Sequence, residues 1–304
     1  MTAPRLVAVL GAGEIGSGWA ALFAAHGARV RIVDPDPAAL PRARAALDIA
    51  LDVRHAPVPD AARAAAHAAI ERAPTAAAGA DGADWIQESL PEVLARKREV
   101  LVSLAGHVRD DAVVASSTSA VRADDIADEL PFADRVLVAH PLHPVYAVPV
   151  VELCGGRATS AAALRRAELA LRAVGREPVV LRTDTPGLVA NRLTAALLRE
   201  ATALVAEGVV GARDLDRVVS RGIATGWVAA GVFGTEAMGA GGDADAWMAR
   251  MGDALDALLA TVASWSTLDD ARRGALRDAL AAARRRTERE WADAVARAAR
   301  ATSP

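Results

Sequence analysis

A glycine-rich motif near the start of the sequence limits the folds that this chain can adopt. The apolar run Leu6–Leu10 leads directly into Gly11-Ala12-Gly13-Glu14-Ile15-Gly16, and a helix is predicted over Ile15–His26. In a strand–loop–helix unit, the first glycine permits a tight turn, the second lets the backbone approach a pyrophosphate, and the third lets helix and strand pack closely. The helix N-terminus then offers amide groups to the phosphates. The predicted cofactor-binding residues of this loop are Gly11, Gly13, Glu14, Ile15 and Gly16.

An acidic residue in the right place strengthens this prediction. Asp34 ends the second predicted strand, about 20 residues beyond the motif, where a carboxylate can accept hydrogen bonds from the adenosine ribose hydroxyls. The same carboxylate repels a 2′-phosphate, and no Arg or Lys occurs in the following Pro35-Asp36-Pro37. We therefore predict NAD as the cofactor rather than NADP. The alternative is that the motif is only a strand-to-helix turn and that Asp34 caps a helix.

The first part of the chain alternates short β-branched runs with longer Ala-rich segments, a pattern typical of βα units around a parallel sheet. Strands are predicted at Leu6–Leu10, Val30–Val33, Trp85–Gln87, Val113–Ala115, Val136–Ala139, Val150–Leu153 and Pro178–Leu181. Helices are predicted at Ile15–His26, Val93–Leu104 and Ala161–Val174, and over Ala38–Arg72 as a hairpin or kinked helix interrupted near Pro57 and Pro59.

Beyond residue 184 the β-type runs nearly vanish and helical periodicity takes over. The predicted fold is α/β: a Rossmann-type, mostly parallel sheet domain (residues 1–184, binding NAD) followed by an all-helical C-terminal domain (residues 185–304). The stretch Asp269–Arg300 is predicted to be a solvated amphipathic helix or helix pair.

Composition excludes several classes of function. The 35 Lys and Arg residues nearly balance the 38 Asp and Glu residues, so no electrostatic footprint for nucleic acid is expected. The single cysteine, Cys154, excludes an internal disulfide and a multi-thiolate metal site, and no metal is expected. No run is apolar enough to span a bilayer. We expect a soluble, cytoplasmic protein without a membrane partner.

A second group of polar residues follows later strands. Ser116-Ser117-Thr118-Ser119 follows the fourth predicted strand, at the sheet edge that faces the ligand crevice, and Ser117 is predicted to contribute to the cofactor site. His140 follows the fifth strand, and Glu152 comes beside it if the chain doubles back after the intervening prolines. A carboxylate in that position fixes the imidazole tautomer and stabilises the imidazolium. This is what a base in alcohol oxidation requires, whereas a histidine alone at a strand end is more often a turn or packing residue.

These segments resemble the L-3-hydroxyacyl-CoA dehydrogenase superfamily, and in particular its branch of L-carnitine and L-gulonate 3-dehydrogenases (lambda-crystallin). The resemblance covers essentially the whole chain. Its segments are residues 11–20, 83–92, 116–119 and 139–152, and the stretch from Gly187 through Asn191-Arg192-Leu193 to Glu207-Gly208.

The resemblance implies a role for several residues. His140 would be the catalytic base, Glu152 its partner, and Ser119 a donor to the substrate oxygen. Asn191 would contact the substrate or nicotinamide from the helical domain, and Glu92 would lie near the cofactor. In that family the helical domain also forms the interface of a homodimer. Read without the resemblance, Ser119 is a strand-end cap and Asn191 a helix-start residue.

One position departs from the family pattern, which has Asn where this chain has His143. Asn does not titrate, whereas His can become charged near neutral pH. His143 is therefore predicted to alter the substrate pocket or the pH optimum, unless it simply replaces the hydrogen bonds of Asn.

The nature of the substrate depends on two features. The predicted helical arm has five arginines but four acidic residues that nearly cancel them, which disfavours a CoA thioester. Tyr146, Trp227 and Phe233 are the aromatic residues that can form a partial cage for the quaternary ammonium of carnitine, unless they belong to the core. The hypothesis is an NAD-dependent dehydrogenase of a small L-3-hydroxy acid. The alternatives are a dehydrogenase of 3-hydroxyacyl groups on CoA or a carrier protein, and a non-catalytic NAD-binding protein.

Overall fold

The computed structural model describes residues 3–54, 56–239, 241–283 and 286–301. The strands are β1 (Leu6–Leu10), β2 (Arg29–Val33), β3 (Ile70–Arg72), β4 (Trp85–Glu88), β5 (Val113–Ser116), β6 (Val136–Pro141), β7 (Val150–Gly155) and β8 (Glu177–Val180). The helices that accompany them are α1 (Glu14–Ala25), α2 (Ala39–Asp52), α3 (Asp60–Ala68), α4 (Ala76–Ala80), α5 (Leu94–Val102), α6 (Ala123–Ala127) and α7 (Ala161–Ala173). They are followed by α8 (Ala190–Ala206), α9 (Ala212–Val218), a π-helical turn (Val219–Ile223), α10 (Ala224–Gly239), α11 (Ala244–Leu259), α12 (Asp270–Ala282) and α13 (Glu288–Ala301).

The strands form one sheet in the order β3-β2-β1-β4-β5-β6-β7-β8. All neighbouring pairs are parallel except β6 and β7, which are antiparallel. The order of β1 to β6 is that of a Rossmann-type doubly wound sheet. The predicted fold class is therefore confirmed.

The side chains of β1 point alternately to the two faces of the sheet, and both faces are covered by helices. Val7 and Val9 pack into the cluster that includes α1, α2 and α7, whereas Ala8 and Leu10 pack into the cluster that includes α5 and α6. Successive strand residues point to opposite faces, so a strand covered on both faces is apolar throughout. This is why the run Leu6–Leu10 shows no polar alternation.

The predicted helical arm over Ala38–Arg72 is interrupted near Pro57 and Pro59, as the sequence indicates, but its helical part ends at Ala68. It forms two helices, α2 and α3, and Arg63 holds them together through Asp48 (2.9 Å) and Asp52 (2.6 Å). Its last three residues are not helical but form β3, because Ile70 pairs with Val30 and is buried in the sheet. Sheet pairing across some 40 residues overrides the helical preference of an Ala-rich flank.

The contacts divide the chain into two compact units whose limits differ from the predicted domains. The first unit extends to Val189, five residues beyond the predicted boundary, and also includes Glu288–Ala299. The second unit is Ala190–Thr287 with residues from Arg300 onward. The C-terminal helix α13 is therefore not solvated on all sides, since Ala292 and Ala296 are buried in the core of the first unit.

The second unit is entirely helical in its described elements and has little core of its own. Among its described residues in the range 190–287, only Thr202 is buried. Many large apolar side chains are exposed there, including Leu193, Phe233 and Leu258. None of the described helices combines the length and apolarity needed to cross a bilayer.

Candidate active site

The glycine-rich loop connects β1 to α1 at the carboxyl edge of the sheet. Gly11 has a φ of +84°, in the region that favours glycine, and a Cβ there would lie 2.8 Å from the carbonyl oxygen of Ser89. A Cβ at Gly16 would collide with the Gly11 carbonyl, whereas Gly13 has open space beside it. The loop therefore has open space beside Gly13 at the N-terminus of α1, which is what the predicted contact with a pyrophosphate requires.

Asp34 lies beside this loop at the end of β2. Its carboxylate accepts hydrogen bonds from the main-chain N–H groups of Ala12 (2.7 Å) and Asp36 (2.8 Å). A carboxylate has about four acceptor positions, so it retains acceptor capacity for ribose hydroxyls. The geometry fits the dinucleotide role predicted for Asp34.

Two arginines also lie at this end of β2, and the sequence analysis did not place them there. Arg42 donates to the carbonyl of Ala12 (2.8 Å) and pairs with Asp36 (2.9 Å), while Arg72 donates to the carbonyl of Asp34 (2.6 Å). They reach the loop from α2 and β3, so only the three-dimensional fold brings them together. Asp36 and Arg42 are close in sequence and pair across the start of α2, so their spacing is a local signal that could have identified Arg42.

The antiparallel pairing of β6 and β7 puts His140 directly opposite Glu152. Their side chains are buried, and Nδ1 of His140 lies 2.8 Å from Oε2 of Glu152. The other carboxylate oxygen accepts a hydrogen bond from the main-chain N–H of Val189 (2.8 Å). The carboxylate is therefore fixed from two directions and holds the imidazole through Nδ1, leaving Nε2 as the nitrogen that can exchange a proton with a ligand.

Glu92 organises the turn that follows β5. It accepts hydrogen bonds from the Thr118 hydroxyl and from the main-chain N–H groups of Ser119 (3.0 Å) and Ala120 (2.9 Å). Partial burial raises the pKa of Glu92, but the bonds from Thr118 and Ala120 and the charge of Lys97 outweigh it and lower the pKa to about 2. Glu92 is thus a permanent anion at neutral pH that fixes the main chain around Ser119.

Lys97, the sole lysine of the chain, supports this turn from α5. Its buried Nζ lies 3.0 Å from Glu88, 3.1 Å from Glu92 and 3.1 Å from the carbonyl of Leu90. Glu88 is fully buried and also accepts a hydrogen bond from the Ser116 hydroxyl. Lys97 and Glu88 are not among the residues predicted for the site from the sequence, although a single lysine five residues after Glu92 is a signal that could have pointed to Lys97.

The side chain of Ser117 lies among polar side chains of the protein itself. Its hydroxyl oxygen lies within hydrogen-bonding distance of Trp19 Nε1 (3.1 Å), Gln87 Nε2 (2.8 Å) and the Ser89 hydroxyl (2.8 Å). These partners use its hydrogen-bonding capacity inside the protein. A direct cofactor contact by the Ser117 side chain stays a prediction, and its observed contacts are structural.

The side chain of His143 lies close to the glycine-rich loop and to the C-terminal helix α13. Its Nε2 lies 3.1 Å from a carboxylate oxygen of Glu14, without the alignment of a hydrogen bond, and its ring centroid is 4.8 Å from that of Trp291 on α13. His143 therefore lies beside the predicted cofactor loop. Glu14, with an exposed side chain, belongs to the same group.

The three predicted cage aromatics have different environments. Tyr146 is buried, and its hydroxyl donates to Glu288 on α13 (2.8 Å), so burial and this acidic partner raise its pKa. Tyr146 is therefore a buried residue that bonds α13, and its predicted place in an aromatic cage stays a prediction. Trp227 and Phe233 lie on α10 in the second unit, on either side of the kink at Gly231, and Phe233 is 89% exposed. Asn191 is an exposed residue near the start of α8.

Comparison with known proteins identifies the family. Residues 6–185 match the family model described as "3-hydroxyacyl-CoA dehydrogenase, NAD binding domain", and residues 187–236 match the corresponding C-terminal domain. The L-carnitine dehydrogenase of Streptomyces coelicolor is 37% identical over 79% of this chain and 76% of its own length. The L-carnitine dehydrogenase/betainyl-CoA thioesterase of Rhizobium meliloti is 36% identical over 93% of this chain, which spans only 58% of that protein.

A solved structure extends the comparison. An NAD⁺-dependent dismutase, 5-formyl-3-hydroxy-2-methylpyridine 4-carboxylic acid 5-dehydrogenase, has a TM-score of 0.75 and 28% sequence identity. The match covers 89% of this chain and 84% of that one. The chain belongs to the 3-hydroxyacyl-CoA dehydrogenase family, and NAD is the cofactor of its N-terminal domain.

Proposed function

We propose that this protein is an NAD-dependent dehydrogenase that interconverts a small L-3-hydroxy acid and its 3-keto product. The observation that carries the proposal is the buried His140–Glu152 pair, with 2.8 Å between Nδ1 and Oε2, at the same sheet edge as the glycine-rich loop. The similarity to L-carnitine dehydrogenases supports the same chemistry.

In this mechanism His140 removes the proton of the substrate hydroxyl through Nε2. Glu152 keeps Nδ1 protonated and stabilises the imidazolium that forms, which favours proton transfer as the alcohol becomes a ketone. NAD, when bound, supplies the acceptor for the hydride that leaves C3. In the reverse direction the protonated His140 returns its proton to the product oxygen.

Two further residues are proposed to position the substrate. Ser119 donates a hydrogen bond to the substrate oxygen, and Glu92 favours this by fixing the main chain of the turn. Asn191, at the start of the helical unit, contacts the substrate or the nicotinamide. Both residues would orient the substrate, and holding the reacting atoms in place lowers the activation free energy of the reaction.

The substrate is proposed to be carnitine-like rather than a CoA thioester. Arg63 of the α2–α3 arm is paired with Asp48 and Asp52, so its charge is not free to bind CoA phosphates, in line with the nearly balanced composition of the arm. Trp227 and Phe233, which are less buried than Tyr146, are proposed as the main aromatic faces for a quaternary ammonium group.

A panel of substrates tests this proposal. Purified protein and NAD are mixed with L-carnitine, L-gulonate, 3-hydroxybutyrate or 3-hydroxybutyryl-CoA, and NADH formation is followed by absorbance. We expect the highest kcat/KM with L-carnitine. A preference for 3-hydroxybutyryl-CoA would instead assign a thioester substrate. NADH binding without turnover of any of the four would favour a non-catalytic NAD-binding protein.

The second unit is proposed to form a homodimer. Its described helices leave large apolar side chains exposed on several elements, and exposed apolar surface of this extent marks an interaction site. A second copy of the same unit can cover these side chains symmetrically.

A further inference from the structure

A cavity of about 340 Å³ lies at the amino edge of the sheet, at the opposite ends of the strands from the candidate active site. It is lined by residues that precede or begin three strands: Arg5 before β1, Trp85 at the start of β4, and Val113 at the start of β5. Arg166, from α7, completes one wall. All of these residues belong to the first unit, and none of them has a role in the proposed mechanism.

The acidic groups of this cavity are already paired. Arg109 binds Asp84 (3.0 Å) and forms two bonds to Asp111 (3.0 and 2.9 Å). The other oxygen of Asp84 accepts hydrogen bonds from the main-chain N–H groups of Arg5 (2.8 Å) and Leu6 (3.0 Å). The carboxylates of Asp84 and Asp111 are therefore committed to Arg109 and to the main chain.

Two guanidinium groups of the cavity have no such partner. Among the described residues, neither Arg5 nor Arg166 forms an ion pair through its side chain, and the buried Nε of Arg166 has no hydrogen-bond partner. Burying a charged donor without an acceptor is costly, so an external acceptor would be favourable at the Nε of Arg166. With three arginines and two aspartates, the lining carries a net positive charge.

We propose that this cavity binds a small organic anion through phosphate or carboxylate oxygens. Arg166 and Arg5 would hold these oxygens, since the planar guanidinium group is suited to paired contacts with such anions. Ala3, Pro4, Val113 and Ala170 provide apolar walls for the body of the ligand. The cavity volume falls in the lower part of the range of small-molecule sites, roughly 300–1,000 Å³.

Isothermal titration of the full chain tests this proposal, with inorganic phosphate and citrate as separate probes. NADH is present at a saturating concentration, so that the glycine-rich loop is occupied and does not bind the probes. We expect saturable binding of at least one probe, and the tighter one identifies the preferred oxygen chemistry. Arg166→Met should weaken that binding about tenfold or more, as expected for the loss of a charge-assisted hydrogen bond.

Arg165→Met is the matched control, because Arg165 is the neighbouring residue of α7, does not line the cavity and lies 3.7 Å from Glu168. It should leave the affinity unchanged. Arg5→Gln keeps the main-chain bond to Asp84 and provides a second test if Arg166→Met fails to fold by circular dichroism. Absence of saturable binding for both probes would overturn the proposal. Equal weakening of anion binding by Arg165→Met and Arg166→Met would also overturn it. So would an unchanged affinity in a folded Arg166→Met variant. If Arg166→Met does not fold, an unchanged affinity in Arg5→Gln has the same consequence. Because the readout is binding, it is independent of turnover.

Discussion

At the scale of single residues, Asp34 is proposed to set the choice between NAD and NADP. Its carboxylate would repel a 2′-phosphate bound beside it, whereas Arg42 and Arg72 lie close by. Removing the negative charge should therefore expose a local excess of positive charge. We predict that Asp34→Asn lowers the preference for NADH over NADPH about tenfold, equivalent to about 1.4 kcal/mol.

The measurement is the ratio of the two dissociation constants, obtained by fluorescence titration. Asp60→Asn, at the exposed start of α3, removes the same charge away from the loop and should leave the ratio unchanged. An unchanged ratio in Asp34→Asn would mean that other residues set the cofactor preference.

The site residues that lie in one βαβ unit or on neighbouring strands were predictable from the sequence. The glycines and Asp34 lie within a single βαβ unit, and His140 and Glu152 meet because neighbouring strands pair. Lys97 and Arg42 also carry a local signal, in their spacing from Glu92 and Asp36. A charged residue on a helix is usually solvated, however, so this spacing alone does not assign them to the site.

At the scale of elements, α13 differs most from the prediction. Its pattern of apolar and charged residues correctly indicates an amphipathic helix, but periodicity does not identify the surface that the apolar face covers. Ala292 and Ala296 pack into the first unit, and the Tyr146 hydroxyl bonds Glu288. Strand β3 was not predicted for a related reason, because a three-residue strand depends on its partner rather than on its own pattern.

The bond between Tyr146 and Glu288 should contribute to the attachment of α13. We predict that Tyr146→Phe lowers the free energy of unfolding by about 1 kcal/mol, because the ring stays buried and only the hydrogen bond is lost. Urea titration gives this value.

Glu288→Gln and the double variant complete a thermodynamic cycle. The two single effects should not be additive, since both remove the same interaction. Strictly additive effects would show that the contact does not stabilise α13.

At the scale of the whole molecule, the division into a sheet-containing unit and a helical unit was predictable from the change in residue pattern, whereas the return of α13 to the first unit was not. The helical unit leaves apolar side chains such as Leu193 exposed, and burying them requires a second surface. We predict that the protein sediments as a dimer at micromolar concentration, and that Leu193→Glu weakens the dimer about tenfold or more by placing a charge in an apolar interface.

Val102→Glu provides the matched control. Val102 is an exposed apolar residue of α5 in the first unit, and its substitution should leave the sedimentation coefficient unchanged. Sedimentation of the unmodified chain as a monomer at these concentrations would contradict the proposed dimer.

The proposed reaction depends on His140 as its general base. Its role is measured by the steady-state turnover of His140→Ala with L-carnitine and NAD, with NADH affinity determined in parallel and His107→Ala, a variant of an exposed histidine, as the control. We expect kcat to fall roughly 10²–10⁴-fold in His140→Ala while NADH affinity is retained. Turnover close to that of the unmodified protein, with the same NADH affinity, would contradict it.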